Sequence, residues 1–287
     1  MHKYPEYRSS RTSWGIGVLG SIFVKLTASD GQVGYATGFG GPPACWLIEE
    51  HFKRFVVGQD PRDYNKIWDQ MFRASMFYGR KGECGGGWLL SHGAKLTAGL
   101  PLAALSVVDL AIWDLLGKIR DEPIYKMIGG RTKKDIPLYL TGPKPPVAKK
   151  LGFWGSKVPL PHGPPDGLEG IRKNVEYLKA CKDSVGPDYP VQVDCYMSLD
   201  VPYTINLIKA CEKAGVEINW WEEVLHPDDF DGHVKLKAAL PHITFTTGEH
   251  EYTKYGFRKL IENRAVDILQ PDVMWLGGLT ELIKVAK

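Results

Sequence analysis

VQVDCY (191–196), INWWEEV (218–224), TFTTGEH (244–250) and VDILQPDV (266–273) decide how this chain is read. Each is a short apolar run, and helical patterns such as 167–181 and 201–215 lie among them. Two earlier runs, IPLYLTG (136–142) and FWGSKVP (153–159), extend the series to six. Strands that alternate with helices predict a parallel sheet with crossover helices. The runs lack clear polar alternation, as expected of strands buried on both faces.

The acids in this series recur with the strands. Asp194 ends the third, Glu222 and Glu223 end the fourth, Glu249 ends the fifth and Asp272 ends the sixth. Asp194, Glu222, Glu249 and Asp272 are spaced by 28, 27 and 23 residues. One βα unit of a (β/α)8 barrel has about that length, and the C-terminal ends of its strands form the catalytic face. Carboxylates converging there need a counter-charge. A hard divalent cation with oxygen ligands supplies one, and Mg²⁺ is the expected ion. The competing reading is local: an Asp or Glu after a strand often caps the next helix. Lys157 falls on the same rim, as an electrophile, a base or a salt-bridge partner of the acids. His250 follows Glu249 directly. Trp220, Trp221 and Trp275 are expected to pack the barrel. Cys195 has no histidine partner in its motif, so a nucleophile is not expected there.

The first 134 residues have a different character. SIFVKLTAS (21–29) and QVGYATGF (32–39), joined by Asp30-Gly31, predict a β-hairpin. Helices are expected over 44–57, 63–78 and 100–119. Gly85-Gly86-Gly87 lacks the Lys-Ser/Thr that a phosphate loop requires. The expected organisation is an α+β domain over 1–134 and a partial (β/α) barrel over 135–287.

Composition limits the function classes. The chain has 287 residues, 44% of them hydrophobic, and a net charge of +3. That is enough to bury a core, and too little charge to argue for nucleic acid or an anionic membrane. The most apolar stretch, 100–116, contains Asp109 and Asp114 and falls short of the roughly 20 apolar residues of a membrane span. The start, MHKYPEYRSSRTSW, has no apolar secretory segment. Five cysteines without a CxxC disfavour a disulfide framework. A soluble protein of the reducing cytoplasm is expected.

These pieces together resemble the enolase superfamily, in its mandelate racemase subgroup, and within it the rhamnonate dehydratase branch. The matching stretches are SVVDLAIWDLLGKIRDEPIYKMIGG (106–130), GSKVP (155–159), VDCYMS (193–198), WWEEV (220–224), TTGEH (246–250) and LQPDVMWLGGLT (269–280). YPEYRSSRTSW and the GEH tripeptide point to the branch. The resemblance implies an α+β capping domain beside a (β/α)7β barrel, and a Mg²⁺ held by Asp194, Glu222 and Glu249. It implies a hydro-lyase that removes the proton alpha to a carboxylate and eliminates water from a sugar acid, giving a 2-keto-3-deoxy acid. Asp272 matches the acid that orients a catalytic histidine, Arg11 matches a substrate-binding arginine, and His250 is placed to reach substrate. The expected partner is a small sugar acid, with a homo-oligomer possible.

Two departures belong to this reading. The family's catalytic histidine stands one βα unit beyond Asp272, near position 297, and no histidine follows His250. The first capping strand and a loop histidine of the family are also absent. Six of about eight barrel strands are expected, and this chain alone is expected to be marginally stable and inactive. The alternatives are an inactive relative that keeps the metal site, and a dehydratase of another sugar acid.

Overall fold

The computed structural model describes residues 20–75 and 98–287. Arg11, Cys84 and Gly85–Gly87 lie outside the described residues, as does the end of the helix expected over 63–78. Contacts divide the chain into two compact units. The described part of one comprises 20–75, 98–132, 249–258 and 271–287; that of the other comprises 133–248 and 259–270. The break expected after residue 134 lies beside the limit at 132/133, but two later segments cluster with the N-terminal unit.

In the N-terminal unit, strands β1 (Ser21–Thr27) and β2 (Val33–Phe39) pair antiparallel, Ser21 opposite Phe39 and Thr27 opposite Val33. The turn needs Gly31, whose φ is +89°, while the Asp30 side chain accepts the Gln32 N–H at 3.0 Å. Alternation sends Ile22 and Val24 into the core and leaves Phe23 and Tyr35 stacked outside, 5.5 Å apart. The helix expected over 44–57 begins earlier, with α1 (Gly41–Leu47), because Pro42 and Pro43 suit a first turn. A π-helical turn, Ile48–Phe52, separates it from α2 (Lys53–Val56). Next come α3 (Tyr64–Ala74), α4 (Leu100–Ile119) and the short α5 (Ile124–Met127).

The core of this unit forms around α4. Leu105, Val108, Ile112 and Leu116 pack with Ile22, Phe52, Ile67 and Met71. The helix has the 20 residues expected over 100–119; contrary to the expectation that its apolar stretch falls short of a span, by length and composition alone it is apolar enough to cross a membrane. Most of its residues are buried inside the unit. Its Asp109 is fully buried and accepts two hydrogen bonds from Thr280, from Oγ1 at 2.6 Å and from the backbone N–H at 2.9 Å. Trp113 Nε1 donates to the same Thr280 hydroxyl at 2.9 Å, and Ser106 Oγ accepts the Gly277 N–H at 2.9 Å. A side chain at Gly278 would collide with Asp109, so that glycine lets the turn approach α4.

The other unit holds six parallel strands in the order β3 (Tyr139–Thr141), β4 (Gly155–Pro159), β5 (Val191–Asp194), β6 (Trp221–Glu222), β7 (Phe245–Thr247) and β8 (Ile268–Leu269). Between them run α6 (Pro145–Lys150), α7 (Gly167–Asp183), α8 (Val201–Lys213), α9 (Phe230–Ala239) and α10 (Thr253–Glu262). Helix α11 (Gly278–Ala286) follows β8. The sheet is therefore the expected partial barrel of six strands. Several strands are shorter than their apolar runs: Ile136 and Leu138 lie before β3 and are exposed.

One expectation about these strands is corrected. They do alternate, but the polar side is buried too. Val158, Val191, Val193, Trp221 and Phe245 join the core shared with the helices. Lys157, Gln192, Glu222 and Thr246 fall on the opposite side, and all four are buried. Alternation in a strand normally reports a wet face. Here it reports a second, polar interior.

The buried acid of α4 predicts a pH dependence. Burial pushes Asp109 up to about 7, against the pull of its Thr280 hydrogen bonds and of Lys284. A carboxyl raised in the folded state favours folding fully below its unfolded value, about 3.9, and loses that contribution as pH rises through about 7. The loss amounts to about 4 kcal/mol across the interval. Asp109→Asn is expected to flatten this part of the profile, measured as the thermal midpoint at pH 5 and pH 8. An unchanged difference between the two pH values would assign it to other groups.

Candidate metal centre on the polar face of the sheet

The register brings the polar side chains together. Asp194 on β5 is paired with Glu222 on β6, and Glu222 with Thr246 on β7. Lys157 on β4 stands one step lower, opposite Gln192. Its Nζ is 3.2 Å from Asp194 Oδ2 and donates to Glu222 Oε1. Lys157 and Glu222 are 8% and 1% exposed as side chains, so this is a buried ion pair. Of the three readings of Lys157, the salt bridge to the acids is the one this geometry contains.

The remaining oxygens are held by neutral donors. Glu222 Oε2 accepts Trp220 Nε1 at 3.2 Å and Gln270 Nε2 at 3.1 Å. Gln270 is fixed in turn by the Thr246 hydroxyl, which donates to its Oε1 at 2.6 Å. Asp194 Oδ1 accepts the Tyr196 N–H at 2.9 Å. Trp220 also meets Tyr139 edge-on at 5.2 Å and stacks with Trp154 at 6.3 Å, forming an aromatic wall. Of the tryptophans expected to pack the barrel, Trp221 does so on the helix side, whereas Trp220 serves Glu222. Sequence reading missed Trp220 and Gln270 as partners. The available signal was a polar residue two positions from an acid, or directly after an apolar strand.

Electrostatics follow from burial. Burial pushes the Glu222 carboxyl above its ordinary value, and Lys157 pulls against it. Burial alone would lower the Lys157 ammonium, but Glu222 and Asp194 outweigh it and hold it above the ordinary lysine value. Burial also raises the Cys195 thiol, with Asp194 and Glu222 adding to the effect, so Cys195 is a poor nucleophile at neutral pH.

The backbone is bent sharply at this rim. Tyr196 and Met197 after β5, Glu223 after β6 and Gly248 after β7 all have positive φ, between +44° and +132°. Three of these are not glycine, a conformation that costs energy and gathers at functional sites. Glu249 follows Gly248, two residues beyond β7. His250 has its Nδ1 3.7 Å from Glu249 Oε1 and its ring edge-on to Trp275 at 5.8 Å. Trp275 stacks with Tyr252 at 5.4 Å and belongs to the N-terminal unit's aromatic set, not to the barrel core. Asp272 Oδ1 accepts the Met274 N–H at 2.7 Å, so this carboxylate winds its own loop.

The donor set suits a hard cation. It offers carboxylate oxygens on adjacent strands, and an ammonium already sits where positive charge is needed.

Comparisons with known proteins agree with this architecture. Residues 16–129 match the mandelate racemase / muconate lactonizing enzyme N-terminal domain, and residues 147–287 match the enolase C-terminal domain-like family. The chain is 47% identical to an L-rhamnonate dehydratase of Saccharopolyspora erythraea over all of its own length and 69% of that protein. The crystal structure of rhamnonate dehydratase from Gibberella zeae complexed with Mg is 60% identical, with a TM-score of 0.89, over 99% of this chain and 65% of that one. A 3,6-anhydro-D-galactonate cycloisomerase from Zobellia galactanivorans is 30% identical with a TM-score of 0.77, over 92% of this chain and 70% of that one. The chain thus spans about two thirds of the length of the relatives it matches.

Removing the ammonium should leave a buried charge without its partner. Lys157→Met is expected to cost roughly 3–5 kcal/mol at pH 8, read by urea unfolding. The deficit should narrow toward acid pH, because a protonated Glu222 no longer needs the ammonium. A deficit independent of pH would mean that lost packing, not charge, is the cause.

Proposed function

The chain belongs to the enolase-like family of mandelate racemases and muconate lactonizing enzymes, and on that premise we propose that it carries the metal-binding part of a Mg²⁺-dependent acid-sugar dehydratase acting on L-rhamnonate or a close analogue. The observation that carries the reading is the pair Asp194 and Glu222, half-buried and buried, side by side on neighbouring strands around one ammonium. Identity to rhamnonate dehydratases across both domains supports the substrate class. The reaction class is a hydro-lyase: the proton alpha to the carboxylate leaves, the hydroxyl on the next carbon is expelled as water, and a 2-keto-3-deoxy acid results.

Asp194, Glu222 and Glu249 would hold the ion. When bound, Mg²⁺ supplies positive charge to the substrate carboxylate as the α-proton departs. Lys157, held protonated, suits a second source of positive charge at that carboxylate and not a general base. Trp220 and Gln270 fix the Glu222 carboxylate, so its orientation is set before any ligand arrives. His250, held edge-on by Trp275, is a candidate contact to the substrate hydroxyls, as is Arg11. Asp272 would orient a histidine that this sequence does not contain after His250. The four described cysteines are free, which fits a reducing compartment such as the cytoplasm.

Calorimetric titration tests the reading. The 287-residue chain is expected to bind one Mg²⁺, and Glu222→Gln and Glu249→Gln should each weaken binding by tenfold or more. Unchanged affinity in Glu249→Gln would remove Glu249 from the ligand set. Incubation of the 287-residue chain with L-rhamnonate and Mg²⁺, read as formation of keto-deoxy acid, tests whether these residues alone move the α-proton. Measurable product would show that a residue of the chain moves the proton. The cycloisomerase from Zobellia galactanivorans makes a second acid sugar worth including in the assay.

A further inference from the structure

The division of labour among the carboxylate oxygens around Lys157 is informative. Asp194 Oδ1 is tied to the Tyr196 N–H, and Glu222 Oε2 to Trp220 and Gln270. These donors are neutral and belong to strand ends or to fixed side chains. The other oxygen of each carboxylate, Asp194 Oδ2 and Glu222 Oε1, faces the Lys157 ammonium. The oxygens left for an incoming ion are therefore the two that the lysine now holds.

We propose that Lys157 is the internal counter-ion of this site, and that a divalent cation binds Asp194 and Glu222 by exchanging with its ammonium instead of adding beside it. The inference rests on the reading of Asp194 and Glu222 as Mg²⁺ ligands. A divalent ion next to an ammonium in a buried site meets strong repulsion, so both cannot share the same two oxygens at close range. Without either cation, the buried Glu222 carboxylate and the half-buried Asp194 carboxylate on the paired strand repel each other. The lysine resolves this conflict while the ion is absent, and its flexible four-carbon stem lets it leave. A second partner is already beside it: Nζ lies 5.9 Å from the centre of the Tyr139 ring, a cation–π contact that the ammonium can keep on leaving the carboxylates. Lys157 thus sets the metal affinity from within, by the work needed to displace it.

The exchange is tested with the 287-residue chain and Mg²⁺ alone. Calorimetry should find Mg²⁺ binding at least tenfold tighter in Lys157→Met than in the parent chain. Mg²⁺ should also raise the thermal midpoint more in the variant than in the parent. Equal or weaker binding in the variant would overturn the proposal. Should the variant not fold, the parent chain decides. With lysines labelled at 13Cε, the Lys157 resonance should move to a new position in proportion to bound Mg²⁺. A resonance that stays in place while calorimetry records Mg²⁺ binding would overturn the exchange and leave the metal reading standing. Absence of Mg²⁺ binding in both proteins would overturn both.

Discussion

Two carboxylates on neighbouring strands, Asp194 and Glu222, face the same side of a parallel sheet, and the ammonium of Lys157 lies between them. The rest of the barrel unit is arranged around keeping that charged group buried. Val191 and Val193 turn toward the helices, which sends Gln192 and Asp194 the other way. Trp220 and Gln270 reach the outer oxygen of Glu222, so every polar atom of that carboxylate has a partner. A buried ion pair of this kind adds little to stability by itself, since desolvation offsets the attraction. What it does set is geometry: Asp194 Oδ2 and Glu222 Oε1 are both turned toward one ammonium.

The N-terminal unit solves a similar problem by different means. Its central helix, Leu100–Ile119, is apolar on most sides and carries one buried acid, Asp109. The Thr280 hydroxyl and backbone N–H hold it, with Lys284 acting on it as a nearby charge. Dipoles compensate a charge less fully than an ammonium does, and burial lifts this carboxyl toward neutrality. The two units thus hold a buried carboxylate in two ways, Glu222 by an ammonium and Asp109 by neutral donors.

Chemistry in this family depends on where strand ends point, and relatives with the same fold act on different acid sugars. The rhamnonate dehydratase from Gibberella zeae and the cycloisomerase from Zobellia galactanivorans both superimpose on this chain, at 60% and 30% identity. A fold shared by relatives named for different acid-sugar reactions does not by itself set the substrate; the side chains around the site do.

Much of this was legible in the sequence, and for a physical reason. Apolar runs separated by helical stretches are a local property, so the six strands, their parallel order and the hairpin at Asp30-Gly31 follow from near neighbours along the chain. The recurrence of Asp194, Glu222, Glu249 and Asp272 at strand ends is equally local. Partnership is not. That Lys157 lies against Asp194 and Glu222, that Gln270 reaches back 48 residues to Glu222, and that Asp109 meets Thr280 171 residues away depends on strand register and helix packing. The sequence reading of strands buried on both faces likewise left out their alternation, because it did not show that Lys157, Gln192 and Thr246 share one polar interior side. The sequence by itself determined which acids stand at which strand ends. Only the tertiary structure decided which oxygen of each is bound, and by what, because those distances are set by pairing between segments far apart in the chain.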